Sequence, residues 1–169
     1  MKELPTSPPE SDFPSDVLKW AKKNAAPKMA LKLMQICKYF QFPYFVINTL
    51  EGNYGGWRYR QEDSYSYRNI DIKNLSKKLW VTRKLGFWNN NVLIPLLPKI
   101  AVSDFYFLSL KNQNITFNEF KFLTAAGNVT EVFLYDSLIK DESDHNVPLE
   151  DILECLPKIE KLRMYAHNL

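Results

Sequence analysis

Apolar residues recur at helical spacing in two segments near the start of the chain. In the first segment they are Val17, Leu18 and Ala21. In the second they are Ala30, Leu33, Met34, Cys37 and Phe40. Pro27 separates the segments, where it ends one helix and can open the next. Leu31 and Ile36 lie off the second stripe, so that helix has one face for packing and another for a partner. The pattern predicts a helical module over residues 13–48, after a polar tail at 1–12 that we expect to be disordered.

Residues 49–74 are rich in aromatic residues and arginine, and we expect them to connect the helical module to the rest of the chain. Within this segment, Trp57–Arg60 alternates aromatic and basic residues, as in a strand with two unlike faces. Aromatic and arginine residues together also bind single-stranded nucleic acid. Glu62 and Asp63 interrupt the stretch, so we favour a structural or partner-binding ribbon and expect no nucleic-acid partner.

A degenerate repeat occupies the second half of the chain. Gly127–Tyr135 aligns with Pro157–Tyr165 at an offset of 30 residues. The matching apolar pairs are Val129/Ile159, Val132/Leu162 and Leu134/Met164, and the same spacing occurs one unit earlier at Val102, Phe105 and Phe107. This is the spacing of a leucine-rich-repeat strand.

Helix-like segments at 91–97, 116–126 and 148–156 alternate with these strands, and Thr116 with Glu119 predicts a capping box. Strand and helix repeating in this way indicate stacked units that share a core. The predicted fold class is therefore α/β, with the helical module followed at 75–169 by an irregular leucine-rich-repeat-like βα array with a parallel sheet. The chain ends at Leu169, just past the last predicted strand, so we expect either a fragment or a truncated array.

The repeat pattern also predicts a binding surface. Side chains alternate between the faces of a strand, so those between the buried positions point outward. In the three repeats these are Tyr106, Leu108, Phe133, Tyr135, Arg163 and Tyr165. Tyr and Arg dominate binding hot spots, so we predict that these residues bind a target protein. The alternative is that residues 51–69 or the N-terminal tail cover the patch.

Charge and composition exclude several classes of protein. The formal charge of +3 comes from 22 basic and 19 acidic residues spread along the chain, without the basic run typical of nucleic-acid binders. No apolar run approaches the ~20 residues that span a bilayer, and the first residues lack the apolar core of a signal peptide. Cys37 and Cys155 fit two free thiols in a reducing compartment. We therefore expect an intracellular protein, cytoplasmic or nuclear, with no membrane partner.

Candidate catalytic chemistry is sparse. His145 lies in a polar loop and His167 lies near the end of the chain, and neither accompanies a Ser or Cys in a recognisable arrangement. The His and Cys residues lack metal-ligand spacing, and the acidic residues of 141–144 lack the glycine and terminal glutamate of a calcium loop. We expect no enzyme activity, no cofactor and no metal.

Two stretches resemble an F-box. Phe13-Pro14-Ser15-Asp16-Val17-Leu18 is similar to its opening, and Ile36-Cys37-Lys38-Tyr39-Phe40 is similar to its ending, an apolar residue, Cys, Lys, any residue and an aromatic. The remainder resembles the expanded F-box-like proteins of nematodes, in which irregular leucine-rich-like repeats follow a divergent F-box. The stretches that carry this likeness are 78–82, 122–125 and 151–157.

The resemblance implies a substrate-recognition adaptor of a cullin-type (SCF) ubiquitin ligase. Such an adaptor does no chemistry and raises the effective concentration of a target near the ligase. It would bind the Skp-type linker protein through Pro14, Val17, Leu18, Leu31 and Ile36, and a target protein through the repeats. The alternative is a repeat-type protein-interaction domain without ligase function.

Overall fold

The computed structural model describes residue 7 and residues 13–25, 27–41, 44–61, 64–88 and 93–165. The chain divides into two compact units, Met1–Pro43 and Tyr44–Leu169. The boundary falls before residue 48, where the sequence pattern placed the end of the helical module, because the first strand of the second unit begins at Tyr44. Apart from Ser7, the predicted tail at 1–12 lies outside the described residues.

The first unit contains two short helices. They are α1 (Ser15–Asn24) and α2 (Pro27–Ile36), followed by a 3-10 turn at Lys38–Phe40. Cys37 joins α2 to the turn, since its backbone N–H donates to the Leu33 carbonyl at 3.1 Å and its Sγ accepts from the Tyr39 N–H at 3.4 Å. The apolar stripe predicted to run on to Phe40 therefore spans a helix and the turn after it.

The described elements of the second unit are ten strands and two helices. The strands are β1 (Tyr44–Asn53), β2 (Gly56–Arg60), β3 (Arg68–Ile70), β4 (Lys78–Phe87), β5 (Ile100–Ser103), β6 (Phe107–Lys111), β7 (Asn114–Thr116), β8 (Glu131–Tyr135), β9 (Leu138–Lys140) and β10 (Lys161–Tyr165). The helices are α3 (Phe117–Thr124) and α4 (Leu149–Glu154), and a 3-10 turn lies at Leu97–Lys99.

Most of these strands belong to one sheet. Its order is β10-β8-β6-β4-β1-β2-β3, with β5 paired to β4 beside this path, and β7 and β9 form a separate pair. The β1–β2 and β2–β3 pairs are antiparallel, and all the other pairs between these strands are parallel. The predicted α/β class with a mostly parallel sheet is confirmed.

Local sequence explains why helices lie between the parallel strands. Thr116 caps α3, since its hydroxyl accepts from the Glu119 N–H at 3.2 Å and the Glu119 carboxylate accepts from the Thr116 N–H at 2.8 Å. The predicted capping box is confirmed. The chain passes through α3 between β6 and β8 and through α4 between β8 and β10, and such crossovers let successive strands run in the same direction.

The core lies on one face of the sheet. Leu108 and Leu110 of β6 and Val132 and Leu134 of β8 are at most 1% exposed. They belong to one buried cluster with side chains of the two helices, which are Phe120, Leu123, Ile152 and Leu156. In β10, Leu162 is partly buried against this cluster, whereas Met164 is 52% exposed because β10 ends the sheet.

Two segments differ from their predicted roles. Residues 49–74, expected to connect the units, contribute β2, β3 and half of β1 to the sheet, because Trp57–Arg60 pairs antiparallel with Thr49–Gly52 of β1. In the predicted helix at 91–97, residues 93–97 form turns and the start of a 3-10 turn, and residues 91 and 92 lie outside the described part of the chain.

Candidate binding face

The side chains that point away from the core form three rows across the sheet, which together we name the open face. The first row is Tyr165, Tyr135 and Lys111. The second row is Arg163, Phe133, Ser109, Gly86, Glu51 and Arg58. The third row is Lys161, Glu131, Phe107, Lys84, Thr49 and Arg60. Parallel pairing from β10 to β1 brings most of these residues together from distant parts of the sequence, and antiparallel pairing of β1 with β2 adds Arg58 and Arg60.

Aromatic rings and cations alternate on the open face. The rings of Phe107 and Phe133 stack with centroids 5.1 Å apart, and those of Tyr135 and Tyr165 lie 5.9 Å apart. Arg163 lies over the Phe133 ring at 5.1 Å, and Lys111 lies over the Tyr135 ring at 4.7 Å. Cations in this position are attracted by the negative face of the ring. The side chains therefore hold one another in place before any partner binds.

A buried carboxylate lies near the middle of the face, on β1. Glu51 is 3% exposed, and its Oε2 accepts from Arg58 Nε at 3.0 Å and from Arg58 Nη2 at 2.7 Å, while Oε1 accepts from Lys84 Nζ at 2.8 Å. Burial by itself raises the pKa of Glu51, and the hydrogen bonds and charges of Lys84 and Arg58 outweigh that effect and hold the pKa below its usual value. Glu51 is therefore an anion at neutral pH, paired with two cations.

Tyr67 extends the charged cluster beyond β2. Its ring lies under two guanidinium groups, with Arg58 at 4.5 Å and Arg60 at 5.6 Å from the ring centroid. Burial raises the pKa of the Tyr67 hydroxyl, and the neighbouring Glu51 charge raises it further. The phenol therefore stays protonated at neutral pH and can donate a hydrogen bond.

Four of the six predicted target-binding residues lie on the open face, and two do not. Phe133, Tyr135, Arg163 and Tyr165 are placed there by β8 and β10. Leu108 is a correction, because it is fully buried, opposite Val132 in the core. Tyr106 is 40% exposed but precedes β6, where its carbonyl accepts from the N–H groups of Thr130 and Glu131.

The first repeat was predicted in the wrong register. Phe105, Leu108 and Leu110 are all fully buried, and β6 pairs Leu108 with Val132 and Leu110 with Leu134. These residues match Val129, Val132 and Leu134 at an offset of 24, a signal present in the sequence. In that register Phe107, Ser109 and Lys111 point outward, and these are positions that the sequence interpretation missed, together with Glu51, Arg58 and Lys84.

The predicted linker-binding residues all belong to the first unit. Pro14, Val17 and Ile36 are exposed, with Val17 at 41% and Ile36 at 61%, whereas Leu18 and Leu31 are half-buried. Three further apolar side chains, which were not predicted to contact the linker, are also exposed in this unit, and they are Phe13, Trp20 and Met29.

No family model, curated protein or solved structure matches the chain.

The residues considered for catalytic or metal chemistry lie in different segments of the chain or outside its described part. No group of three or more His, Cys, Asp or Glu residues there could hold a metal ion. His145 is exposed beside Asp141, and His167 lies outside the described residues. Burial raises the pKa of the Cys155 thiol, which leaves it a poor nucleophile.

No described helix is long and apolar enough to cross a membrane.

Proposed function

We propose that this chain is a substrate-recognition adaptor of a cullin-type (SCF) ubiquitin ligase. In this proposal the first unit binds the Skp-type linker protein and the second unit binds the target. The main support for the proposal is that α1 is amphipathic although none of its ten residues is buried. Isolated helices of that length are only marginally stable in water, so we expect the apolar side of α1 to pack against a partner protein.

The exposed apolar side chains of the first unit supply that contact. Val17 and Trp20 lie three residues apart on α1 and therefore on the same side of the helix, at 41% and 66% exposure. Ile36, at the end of α2, is 61% exposed. Fully burying one aliphatic side chain of this size contributes ~1.5–3 kcal/mol. Burial of these side chains would therefore contribute to association with a linker protein, against the entropy cost of bringing the two proteins together.

The open face of the second unit supports the target-binding half of the proposal. It presents stacked rings and cations held by contacts within the sheet. Aromatic and arginine side chains that are already ordered lose little conformational entropy on binding. An adaptor needs no reactive group, because holding the target near the ligase raises its effective concentration.

Co-purification with a Skp-type linker tests the proposal. The variant is Val17→Asp with Ile36→Asp, since both side chains are exposed and the change should leave the fold intact. The matched control is Ser15→Asp with Gln35→Asp, which places the same charges at exposed positions of the same helices. We expect linker capture by the wild type and the control and its loss in the variant. Equal capture by variant and control would refute the proposed interface.

A second candidate function is a protein-interaction domain without ligase binding. Two of the five predicted linker contacts, Leu18 and Leu31, are half-buried, which favours this candidate. It predicts that the wild-type chain captures no linker while the second unit still binds a partner.

A further inference from the structure

Within the second unit, positive charge is concentrated on the open face. Its basic side chains are Arg58, Arg60, Lys84, Lys111, Lys161 and Arg163, and its acidic ones are Glu51 and Glu131. Elsewhere in the described part of the second unit, acidic side chains (11) outnumber basic ones (9). Within this unit the open face is therefore the part that attracts an anion.

The two acidic side chains of the face are already paired. Glu51 is held by Arg58 and Lys84, and Glu131 lies 3.4 Å from Lys161 Nζ. Among the ion pairs of the described residues, all within 4.0 Å, none involves Arg60, Lys111 or Arg163. These three cations are the ones left to bind an external anion.

The rings on the face decide between a peptide and a nucleic acid. Single-stranded nucleic acid binds by stacking its bases on open ring faces. Here Lys111 lies over Tyr135, Arg163 over Phe133 and, at 5.1 Å, Lys84 over Phe107, while Phe107 and Phe133 also stack on each other. Phe107, Phe133 and Tyr135 each contact a cation and another ring, so mainly their edges and the cations remain for a ligand, whereas Tyr165 is 52% exposed.

We propose that the open face binds an acidic peptide segment of the target, in which carboxylates alternate with apolar side chains. The carboxylates would contact Lys111, Arg163 and Arg60, and the apolar side chains would lie against the edges of Phe107, Phe133 and Tyr165. Glu51 supports this arrangement by holding Arg58 and Lys84 in place. This inference rests on the proposed function for the target's role, although the binding chemistry can be tested without the linker.

Fluorescence anisotropy with the purified full chain tests the proposal. The probe is a labelled peptide with Glu at every second position and Leu or Ser between. The same peptide with Gln or with Lys in place of Glu serves for comparison, together with a single-stranded RNA of equal net charge. We expect the Glu peptide to bind most tightly. Its binding should weaken as ionic strength rises from about 0.1 M to about 1 M and the Debye length falls from ~10 Å to ~3 Å.

Variants assign the binding to the face. Lys111→Gln with Arg163→Gln should weaken binding of the Glu peptide by about 10-fold or more, equivalent to ~1.4 kcal/mol. The control, Lys77→Gln with Lys121→Gln, removes the same charge from exposed positions outside the open face and should leave binding unchanged.

Three results would overturn the proposal. They are equal binding of the Glu and Gln peptides, undiminished binding by the Lys111/Arg163 variant, and tighter binding of RNA that the same variant abolishes. These outcomes are separate from linker capture. A chain that binds the Glu peptide but captures no linker contradicts the ligase role alone, and a chain that captures the linker without selecting the Glu peptide contradicts this inference alone.

Discussion

Glu51 and Lys84 lie on neighbouring parallel strands, and the Lys84 Nζ is 2.8 Å from the Glu51 Oε1. The pair joins residues 33 positions apart and lies where β1 and β4 meet at the centre of the sheet. Arg58 completes the arrangement from the antiparallel side of β1. One buried carboxylate therefore ties the antiparallel β1–β2 ribbon to the parallel part of the sheet.

Glu51→Gln should destabilise the second unit. The change leaves Arg58 and Lys84 close together without the anion, and hydrogen bonds to charged groups contribute ~1.5–3 kcal/mol each. Because both cations are partly exposed to water, we expect a loss of ~1–3 kcal/mol in the free energy of unfolding at pH 7. The control is Glu131→Gln, whose partner Lys161 is 56% exposed, and we expect a change below ~1 kcal/mol. Urea denaturation of both variants measures the difference, and equal losses would contradict a special role for Glu51.

The contribution of Glu51 should depend on pH. Its pKa in the folded chain lies below the ordinary value of 4.5, so the unfolded chain takes up a proton before the folded chain does as pH falls. The stabilisation is therefore fully present above about pH 4.5 and is lost as pH falls through the folded pKa. The difference in unfolding free energy between wild type and Glu51→Gln should be constant from pH 7 to about pH 5 and should narrow below that. A difference that widens on acidification would contradict this sign.

Leu108→Ala and Ser109→Ala test the register of β6. Leu108 is fully buried, so its truncation should cost ~2–5 kcal/mol. Ser109 faces the open side of the sheet, where a small polar-to-apolar change should stay within ~0.5 kcal/mol. Thermal or urea unfolding of the two variants compares neighbouring positions. A larger loss of stability for Ser109→Ala than for Leu108→Ala would instead support the register that places Leu108 on the surface.

The register of β6 shows where sequence patterns reach their limit. Val102, Phe105, Phe107, Leu108 and Leu110 are all apolar, so two alignments to the next repeat fit the alternation. Pairing with β4 and β8 selects one of them, because only that register buries Leu108 and Leu110 in the core. A short window of sequence does not show which distant strand will pair with it, or in which register.

The capping box was predicted correctly, whereas the contacts of the charged residues on the open face were not. The capping box needs only Thr116 and Glu119, three residues apart, and the sequence was enough to identify it. The Glu51–Lys84 contact depends on the parallel register of β1 and β4, which includes a shift between Ile47 and Thr49. A repeating pattern of apolar residues does not predict where such a register shift occurs. The cluster of Glu51, Arg58 and Lys84 could therefore not be identified from the sequence alone.

Thr116→Ala should weaken the start of α3. Its hydroxyl satisfies the Glu119 N–H, one of the amides that has no partner within the helix. Replacing such a cap with Ala costs about 1 kcal/mol of the free energy of unfolding. Asn118→Ala is the control, because Asn118 is exposed and its amide contacts Glu142 only at 3.5 Å. If both variants lost the same stability, the cap would have no specific effect.

Gly127→Ala and Gly86→Ala should act in opposite directions. Gly127 follows α3 with φ at +62°, and its N–H donates to the Thr124 carbonyl at 2.8 Å, so alanine there must adopt a left-handed conformation that costs ~1–2 kcal/mol. Gly86 has no such φ, and a Cβ there would lie 3.3 Å from Trp88 Nε1. Trp88 is 42% exposed and can move by the few tenths of an ångström required. Gly86→Ala should therefore be neutral or stabilise the fold by up to ~1 kcal/mol, because alanine restricts the unfolded chain. Chemical denaturation measures both changes, and a larger loss at Gly86 than at Gly127 would show that Trp88 is fixed in place over the sheet.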